Sequence, residues 1–326
     1  MIIPVLSDAV AGSGIPRSEI CFTVSGSCDY LIGGPFTFVS GLDAVGAWPP
    51  IRESHVECDA AWALYEAWVM IQTGEVDSAL IYGFGKASLG DATDIFGLQS
   101  DPYYLSPLRP STTHLAALQA RAYMDATGRT ERDLAEVAAR SARSATSNPN
   151  AVRSGDVSID ELLGAPMVAD PLRASDVAPV TDGAVAMVVA AGDLARSACE
   201  RPAWIRGIDH RIETHSPGAR DLTASVSTRA AAEKAGLFSG TVDVAELHAQ
   251  HSHEELILRD ALGLADHANV NPSGGALAAN GPMSAGLVRI GEVARRIWSG
   301  EAGRGVAHAS SGSCLQQNLV CVMEGE

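Results

Sequence analysis

The sequence predicts an α/β fold made of two similar βαβαβ-type halves that pack their helices between two sheets. Helical and strand-like stretches alternate along the chain, and short apolar runs such as 184–191 are typical of strands buried on both faces. The order helix, glycine, strand also occurs twice. With 326 residues, 46% hydrophobic and 19% charged, the chain has an ordinary globular composition and enough length for a large core.

The first half, residues 1–195, is expected to contain a sheet, two helices and a long inserted region. Gly74 ends the second of these helices, because glycine interrupts helical periodicity. The predicted elements are helix 3–11, strand 19–24, a Gly- and Pro-rich loop 25–50, helix 59–73, strand 79–82, a loop region 88–175 with helices 115–127 and 131–147, and strand 184–191. Residues 196–326 form the second half.

An internal repeat supports this division. An offset of 226 places Gly74-Glu75 on Gly300-Glu301, and it also places helix 59–73 on helix 283–299 and strand 79–82 on strand 305–308. Strand 242–247 similarly corresponds to strand 19–24. A chance match of two helix-glycine-strand pieces is the alternative. If the repeat is real, we expect five strands in each half and the two long helices side by side at the centre. Their small or apolar faces permit close approach: Ala60, Ala61, Ala63, Ala67, Ala285, Gly286, Ile290 and Ala294.

Charge and cysteine usage exclude several classes of protein. A net charge of -16 with no basic cluster argues against nucleic-acid and anionic-membrane partners. The apolar runs are shorter than the roughly 20 residues that cross a bilayer. The first residues lack the charged and apolar regions of a signal peptide. Six cysteines without a CxxC pair favour reduced thiols, so we expect a cytoplasmic protein.

Four stretches resemble the sterol-carrier and lipid-transfer branch of the thiolase superfamily. They are Val-Asp-Val-Ala-Glu-Leu-His at 242–248 with Glu-Leu-Ile at 255–257, Val-Asn-Pro-Ser-Gly-Gly at 270–275, Thr-Asp-Gly-Ala at 181–184, and 312–322 with Leu-Gln-Gln-Asn-Leu at 315–319. Residues 55–66 are similar to actinobacterial homologues that act as aldolase subunits on steroid side chains and lack the catalytic cysteine. The resemblance implies a thiolase-like fold in αβαβα layers. That fold normally begins with a strand, whereas this chain begins at a helix, so the first strand is absent or lies upstream.

The resemblance also indicates which thiolase groups are missing. Glu57 stands where the family has its nucleophilic cysteine, and Cys58 is one position further. Cys58 is either a displaced nucleophile or a small residue facing the core. Glu57 is either a general base, if burial raises its pKa, or a carboxylate that complements a helix dipole. We expect that Cys58 is not a nucleophile, because one helical step turns a side chain by about 100°.

The family's second set of polar groups is also altered. Its Gly-His-Pro base corresponds to Asn280-Gly281-Pro282, and its proton-exchanging cysteine corresponds to Gln250 or to Gly312. Cys314 is near the latter and is either an exchange cysteine or a small residue in a tight loop. The resemblance implies substrate or coenzyme A binding by Asn280, Gly281, Ser311 and Gly312.

Three histidines stand close together at 248, 251 and 253. The resemblance places His248 where an N–H group binds the thioester oxygen, although a buried structural histidine is the alternative. The resemblance implies that relatives also carry a histidine at the position of His253, which is therefore a candidate acid or base. His251 is a less favoured candidate. No carboxylate or cysteine set is spaced to complete a metal site, so we predict no metal and no cofactor besides the coenzyme A thioester as substrate.

These residues favour an aldolase-type lyase over a thiolase. Retro-aldol cleavage of a β-hydroxyacyl-CoA, with a steroid side chain as the expected acyl group, needs enolate stabilisation but no covalent intermediate. The resemblance further implies a heteromer with a second thiolase-like chain and a small OB-fold protein. Two alternatives remain: a catalytically silent structural subunit and a cysteine-dependent acyltransferase.

Overall fold

Two mixed sheets, one in each half, frame the central helices of the molecule. The computed structural model describes residues 1–46, 52–264 and 268–326. The N-terminal sheet has the strand order β2 (Glu53–Val56), β1 (Phe22–Gly26), β3 (Ser78–Gly85), β6 (Gly183–Ala190), and the C-terminal sheet has the order β9 (Asn269–Val270), β8 (Val244–Leu247), β10 (Arg304–Ser311), β11 (Gln317–Glu324), β7 (Trp204–Ile212).

The N-terminal half begins with the amphipathic helix that the sequence predicts. Its elements are, in chain order, α1 (Ile2–Ser13), β1 (Phe22–Gly26), α2 (Asp29–Ile32), α3 (Leu42–Val45), β2 (Glu53–Val56), α4 (Ala60–Gln72), β3 (Ser78–Gly85), α5 (Ala92–Leu98), α6 (Thr112–Thr127), α7 (Glu131–Ser144), α8 (Ile159–Gly164), β4 (Met167–Ala169), β5 (Leu172–Arg173) and β6 (Gly183–Ala190). The predicted loop 25–50 contains α2 and α3, and its last residues, 47–50, lie outside the described residues.

The C-terminal half repeats the arrangement. Its elements are α9 (Gly192–Ala198), β7 (Trp204–Ile212), α10 (Val226–Lys234), β8 (Val244–Leu247), α11 (Ser252–Leu262), β9 (Asn269–Val270), α12 (Gly275–Ala278), α13 (Ala285–Trp298), β10 (Arg304–Ser311) and β11 (Gln317–Glu324). The predicted boundary between residues 195 and 196 falls within α9 and stays a prediction.

The internal repeat is confirmed in three dimensions. Both ends of β3 and β10 differ by 226, and α4 and α13 end at residues that differ by the same amount. β3, which follows α4, runs parallel to β1 and antiparallel to β6, and β10, which follows α13, runs parallel to β8 and antiparallel to β11. Sequence offset and hydrogen-bond pattern therefore identify the same two copies.

The two sheets differ in one strand. The C-terminal sheet has the five strands expected, whereas the N-terminal sheet has four among the described residues, so the expectation of five in both halves is wrong there. The missing strand is the counterpart of β7, at the edge beside β6. All eight residues of β6 are accordingly half-exposed, although its two faces pack against separate apolar clusters.

Helices α4 and α13 lie side by side between the sheets, as predicted. The backbone N–H of Ala60 donates to the carbonyl of Met283 at 3.0 Å, and Leu64 and Ile290 belong to one buried cluster. A Cβ on Gly286 would lie 2.6 Å from both Ala309 Cβ and Asp59 Oδ1, which shows why a glycine stands at this crossing. Small residues thus allow the halves to meet.

A buried ion pair joins the C-terminal sheet to α13. Glu246 of β8 is fully buried, and its Oε2 lies 2.9 Å from Arg289 Nη1. Ser273 donates to the same carboxylate from its backbone at 2.9 Å and from its hydroxyl at 2.7 Å. Burial raises the pKa of Glu246, and Arg289 and Ser273 act against that rise. The ionised carboxylate therefore depends on these partners.

Replacing Arg289 with Met should lower the free energy of unfolding by about 3–5 kcal/mol, because it leaves the buried Glu246 carboxylate with the more distant Arg296, at 3.6 Å, as its cationic partner. The double variant Glu246→Met, Arg289→Met should recover much of that loss. Urea unfolding measures both. The matched control is Arg132→Met, which removes an exposed pair with Glu136 and should cost less than about 1 kcal/mol. Equal losses in the single and double variants would contradict the ion-pair explanation.

Candidate active site

A cavity of about 150 Å³ lies where the two halves meet, beside the start of α4 and of α13. Its polar wall comes from the ends of strands and helices and includes Asp59, His248, His251 and Asn280. Its apolar wall comes largely from the region between β3 and β6: Ala92, Phe96, Val177, Ala178 and Val180. The cavity therefore combines a few polar groups with an apolar cover, as small-molecule sites do.

The segment 177–181 is held against the polar wall by backbone hydrogen bonds. Val177 and Val180 form isolated β-bridges with His251 and Asn280. The N–H of Ala178 donates to the carbonyl of Gln250 at 2.8 Å, and that of Thr181 donates to the carbonyl of Asn280 at 3.0 Å. Because one short segment is bonded to both places, these bonds fix the backbone of His251 relative to that of Asn280.

Asp59 occupies the N-termini of both central helices. It is 3% exposed and is the N-cap of α4, accepting from Ala61 N at 2.9 Å. It also accepts from Gly286 N at 2.9 Å and from Leu287 N at 3.1 Å, in α13. The sequence analysis missed this residue, although an aspartate directly before a predicted helix is a recognised N-cap signal.

Glu57 lies outside the cavity lining, contrary to its predicted place as a base. Its carboxylate is 47% exposed, accepts from Asp29 N at 2.7 Å and lies 3.3 Å from His55 Nε2. The physical reason is that α4 begins only at Ala60, so Glu57 precedes the helix and turns towards α2. The Glu57 carboxylate is therefore half exposed beside α2 rather than buried at the cavity.

Cys58 is half-buried and is not part of the cavity lining. Burial and the negative charge of Asp59 raise the pKa of the thiol to about 11. At neutral pH the group is therefore a thiol, which is a poor nucleophile. This environment supports the prediction that Cys58 does not act as a nucleophile.

His248 is buried, and its hydrogen bonds define one tautomer. Burial lowers the pKa of His248, so the ring is neutral. The backbone N–H of Ser310 can only donate, and it points to Nδ1 at 3.3 Å, so the ring proton is on Nε2. Nε2 lies 2.9 Å from Asn280 Oδ1 and donates to it. Both ring nitrogens of His248 are therefore occupied by the protein.

Asn280 faces the cavity with a free donor. Because its Oδ1 accepts from His248, the other side-chain atom is the NH₂ group, which has no acceptor within residues 1–46, 52–264 and 268–326. Asn280 is 6% exposed. An amide NH₂ held by a neutral histidine in a nearly closed cavity is a preorganised donor for an oxyanion.

The sequence favoured His253 over His251 as a site residue, whereas the structure places His251 at the cavity. His251 lines the cavity, whereas His253 does not. His253 is fully buried, its Nε2 lies 3.2 Å from Gln119 Oε1, and burial lowers its pKa to about 3. The structure therefore does not bring His253 to the cavity, because its ring lies in the core between α11 and α6.

Three further predicted residues, Gly281, Ser311 and Gly312, lie at or near the cavity. Ser311 and Gly312 line the cavity, and Gly281 separates the lining residues Asn280 and Pro282. A Cβ on Gly281 would lie 2.7 Å from Ser284 Oγ, so this glycine allows close packing.

Cys314 is buried away from the cavity. Its thiol donates to the carbonyl of Leu115 at 3.4 Å, and burial raises its pKa to about 12. The structure therefore does not bring Cys314 into contact with the site, and a residue in a tight turn, with φ of 56°, is the description that fits.

Within the described parts of the chain, no group of three or more His, Cys, Asp or Glu residues is arranged to hold a metal ion. None of the described helices is long and apolar enough to cross a membrane.

No known family model matches the chain. Three curated relatives are similar in sequence. Acetyl-CoA acetyltransferase of Methanothermobacter thermautotrophicus is 28% identical, covering 78% of this chain and 73% of the relative. Sterol carrier protein 2 of Gallus gallus is 26% identical, covering 95% and 63%. The 17-hydroxy-3-oxo-4-pregnene-20-carboxyl-CoA lyase of Mycobacterium tuberculosis is 26% identical, covering 61% and 54%. The chain thus matches less than two thirds of the length of the latter two.

Two solved structures share the fold. An Ltp2-ChsH2(DUF35) aldolase superposes with a TM-score of 0.77 at 18% identity, covering 97% of this chain and 89% of that chain. The acetyl-CoA acetyltransferase of Bacillus anthracis superposes with a TM-score of 0.78 at 16% identity, covering 99% and 92%. The predicted thiolase-like fold is therefore confirmed, and the sequence similarity is to thiolase-superfamily and sterol-carrier proteins.

The buried histidines predict acid sensitivity. His308 is also fully buried, with its pKa lowered by burial to about 3. An unfolded chain protonates histidine near pH 6.5, whereas the folded state keeps His253 and His308 neutral down to about pH 3. Stability should therefore fall as pH decreases below 6.5, by about 1.4 kcal/mol per pH unit for each such histidine.

Urea unfolding between pH 5 and 7.5 measures this slope, because Glu254, whose pKa is near 2, does not titrate in that range. His253→Gln should reduce the dependence of the free energy of unfolding on pH by the contribution of one histidine, about 1.4 kcal/mol per pH unit below pH 6.5. His215→Gln, at an exposed position, is the control. An unchanged slope in His253→Gln would show that this residue is not the source.

Proposed function

We propose that this chain is an aldolase-type lyase subunit that cleaves a β-hydroxyacyl-CoA through its thioester enolate. The observation that carries the proposal is the Asn280 amide, whose free NH₂ faces the cavity while His248 holds its oxygen. No covalent enzyme intermediate is part of the reaction, in keeping with the raised pKa of Cys58 and of Cys314.

The chemistry requires one base and one oxyanion donor. A base takes the proton of the β-hydroxyl, and the O–H electrons form the carbonyl of the ketone or aldehyde product. The Cα–Cβ bond breaks, and its electrons form the enolate of the shortened acyl-CoA. A proton returned to Cα completes the reaction. The Asn280 NH₂ donates to the thioester oxygen as negative charge develops on it.

His248 is a positioning residue in this proposal. Its Nε2–H donates to Asn280 Oδ1, and this bond fixes the plane of the amide with its NH₂ group towards the cavity. The function predicted for His248 is therefore exerted through Asn280.

A steroid side-chain thioester is the proposed substrate. The names of the relatives supply the support: one is a lyase of a steroid carboxyl-CoA, and a structural neighbour is an aldolase. At about 150 Å³ the cavity is smaller than the 300–1,000 Å³ typical of drug-sized ligands. It therefore suits the reacting carbons and the thioester, and the ring system would extend beyond it.

We further propose that the chain acts in a heteromer located in the cytoplasm. A second thiolase-like chain and a small OB-fold protein are the proposed partners, and the neighbouring aldolase is itself named as a two-component protein. The six cysteines are free, which suits a reducing compartment.

A catalytically silent structural subunit is the second candidate. It is favoured by the absence of a thiolate and of the family's histidine base, whose position is occupied by Gly281. The half-exposed edge of β6 also favours a role in assembly, since open strand edges readily pair with another chain.

Asn280→Asp tests the oxyanion donor with almost no change of shape. It replaces the NH₂ by a carboxylate oxygen, which repels the developing oxyanion, so kcat should fall by at least about a hundredfold with a smaller change in KM. The assay follows ketone release from 17-hydroxy-3-oxo-4-pregnene-20-carboxyl-CoA by the complex purified from its host. Asn150→Asp, at an exposed loop position, is the control. Wild-type turnover by Asn280→Asp would contradict the proposed role.

His248→Ala removes the group that holds Asn280 and should lower turnover by about a hundredfold, with substrate affinity changing much less. The same ketone-release assay measures it. If both His248→Ala and Asn280→Asp complexes keep the wild-type rate, the active site lies in a partner chain and this subunit is structural.

Cys58→Ala should keep most of the activity, because the thiol is outside the cavity lining and its pKa is about 11. A loss of about 10³-fold or more, as when a nucleophile is removed, would instead establish the acyltransferase alternative. Mass spectrometry for an acyl adduct on the protein is the independent check.

A further inference from the structure

The cavity contains a second histidine whose surroundings differ from those of His248. His251 is the N-cap of α11, is 5% exposed and lines the cavity. Its backbone is fixed by the β-bridge to Val177. Its Nδ1 lies 3.1 Å from Glu254 Oε1, one turn into the helix. The ring is therefore held from one side by a carboxylate.

Glu254 is an ionised partner for this ring. It is 4% exposed, and its Oε2 accepts from Gln250 N at 2.8 Å and from His251 N at 3.1 Å. Burial alone would raise the pKa of Glu254, but His251 and these donors lower it to about 2. A carboxylate without a proton can only accept, so His251 donates from Nδ1 and keeps the lone pair of a neutral ring on Nε2.

Nε2 of His251 is open to the cavity. It has no hydrogen-bond partner in the described chain, and it is not among the side-chain atoms that are sealed from solvent without a partner, unlike Nδ1 of His253. The other titratable residues in the cavity lining are already engaged: His248 uses both ring nitrogens, and Asp59 caps two helices with both oxygens. An oriented imidazole with a free lone pair is the arrangement of a general base.

We propose that His251 is the base that accepts the β-hydroxyl proton, with Glu254 as its positioning residue; this inference rests on the proposed lyase function. Nε2 takes the hydroxyl proton, the O–H electrons become the second C–O bond, and the Cα–Cβ electrons pass to the enolate. The imidazolium formed on His251 then returns that proton to Cα. The Glu254 carboxylate stabilises the imidazolium, and Asn280 stabilises the enolate, so no other reactant is required.

The surrounding charges suit a ring that is transiently positive. Asp176 accepts from Ser252 Oγ at 2.7 Å and, with Glu254, interacts electrostatically with His251. The ring of His253 contacts that of His251, at 5.7 Å between centroids, and its low pKa keeps it neutral. Two carboxyl groups are thus close to His251, and the neighbouring cations have other partners: Arg153 donates to the carbonyls of Ala174 and Val177, and Arg173 pairs with Glu131.

His251→Asn is the decisive variant, because asparagine is a good helix N-cap but not a base at neutral pH. We compare the complex carrying His251→Asn with the wild-type complex on the steroid thioester named above. We expect the variant to have a kcat about 10²–10⁴-fold lower, with little change in KM. His251→Ala should be equally slow, and added imidazole should restore part of its activity. Restoration by imidazole identifies a missing base, which a purely structural role would not show. Urea unfolding establishes that each variant is folded.

Glu254→Gln keeps an acceptor oxygen for the backbone N–H groups and removes the charge that stabilises the imidazolium. We expect kcat to fall by about 10–100-fold, as for other partners that orient a histidine, with KM unchanged. His253→Gln, next to the dyad but outside the cavity lining, is the matched control and should keep its kcat.

Two results would overturn the assignment in distinguishable ways. If the wild-type complex releases ketone and folded His251→Asn does so within about threefold of the same rate, another group is the base and the lyase function stands. If the wild-type complex releases no ketone, the proposed function fails, and the role of His251 fails with it.

Discussion

The carboxylate of Asp59 is the interaction on which the rest of the site depends. It accepts from the N-terminal N–H groups of both α4 and α13, so one buried side chain links the helices that join the two halves. Helix N-termini favour negative charge, and here the Asp59 carboxylate satisfies them. Burial raises the pKa of the neighbouring Cys58, and the charge of Asp59 raises it further. A site arranged around this anion disfavours a thiolate, which supports the proposed cleavage without a covalent intermediate.

The motifs that resemble the thiolase superfamily build the wall that carries the polar groups. Asn271 accepts from Leu247 N at 2.6 Å and donates to Glu255 at 2.8 Å, while Ser273 bonds Glu246 and Arg289. These buried bonds fix the end of β8 and the start of α11, which are the two places where His248 and His251 emerge. Because unpaired polar groups are costly inside a protein, such a network has few alternative arrangements. The residues that are similar in sequence therefore largely hold the site in place rather than line the cavity.

His248 and His251 illustrate how neighbouring ring systems acquire different chemistry. His248 donates to a neutral amide and accepts from a backbone N–H, which leaves it no open lone pair. His251 donates to a carboxylate and keeps one ring nitrogen open to the cavity. The partner of each ring decides its tautomer, and the tautomer decides whether the ring positions another group or accepts a proton.

The sequence by itself determined the layered α/β fold and the repeat, because helical periodicity and buried apolar runs are local properties. It did not determine which side chains face the cavity. Glu57 and Asp59 are two residues apart, and only the start of α4 decides that Asp59 is the buried one. His251 and His253 are also two apart, and the bridge from Val177 to His251, between residues distant in sequence, brings the cavity cover against His251. Such choices depend on contacts between remote segments, and these exist only in the tertiary structure.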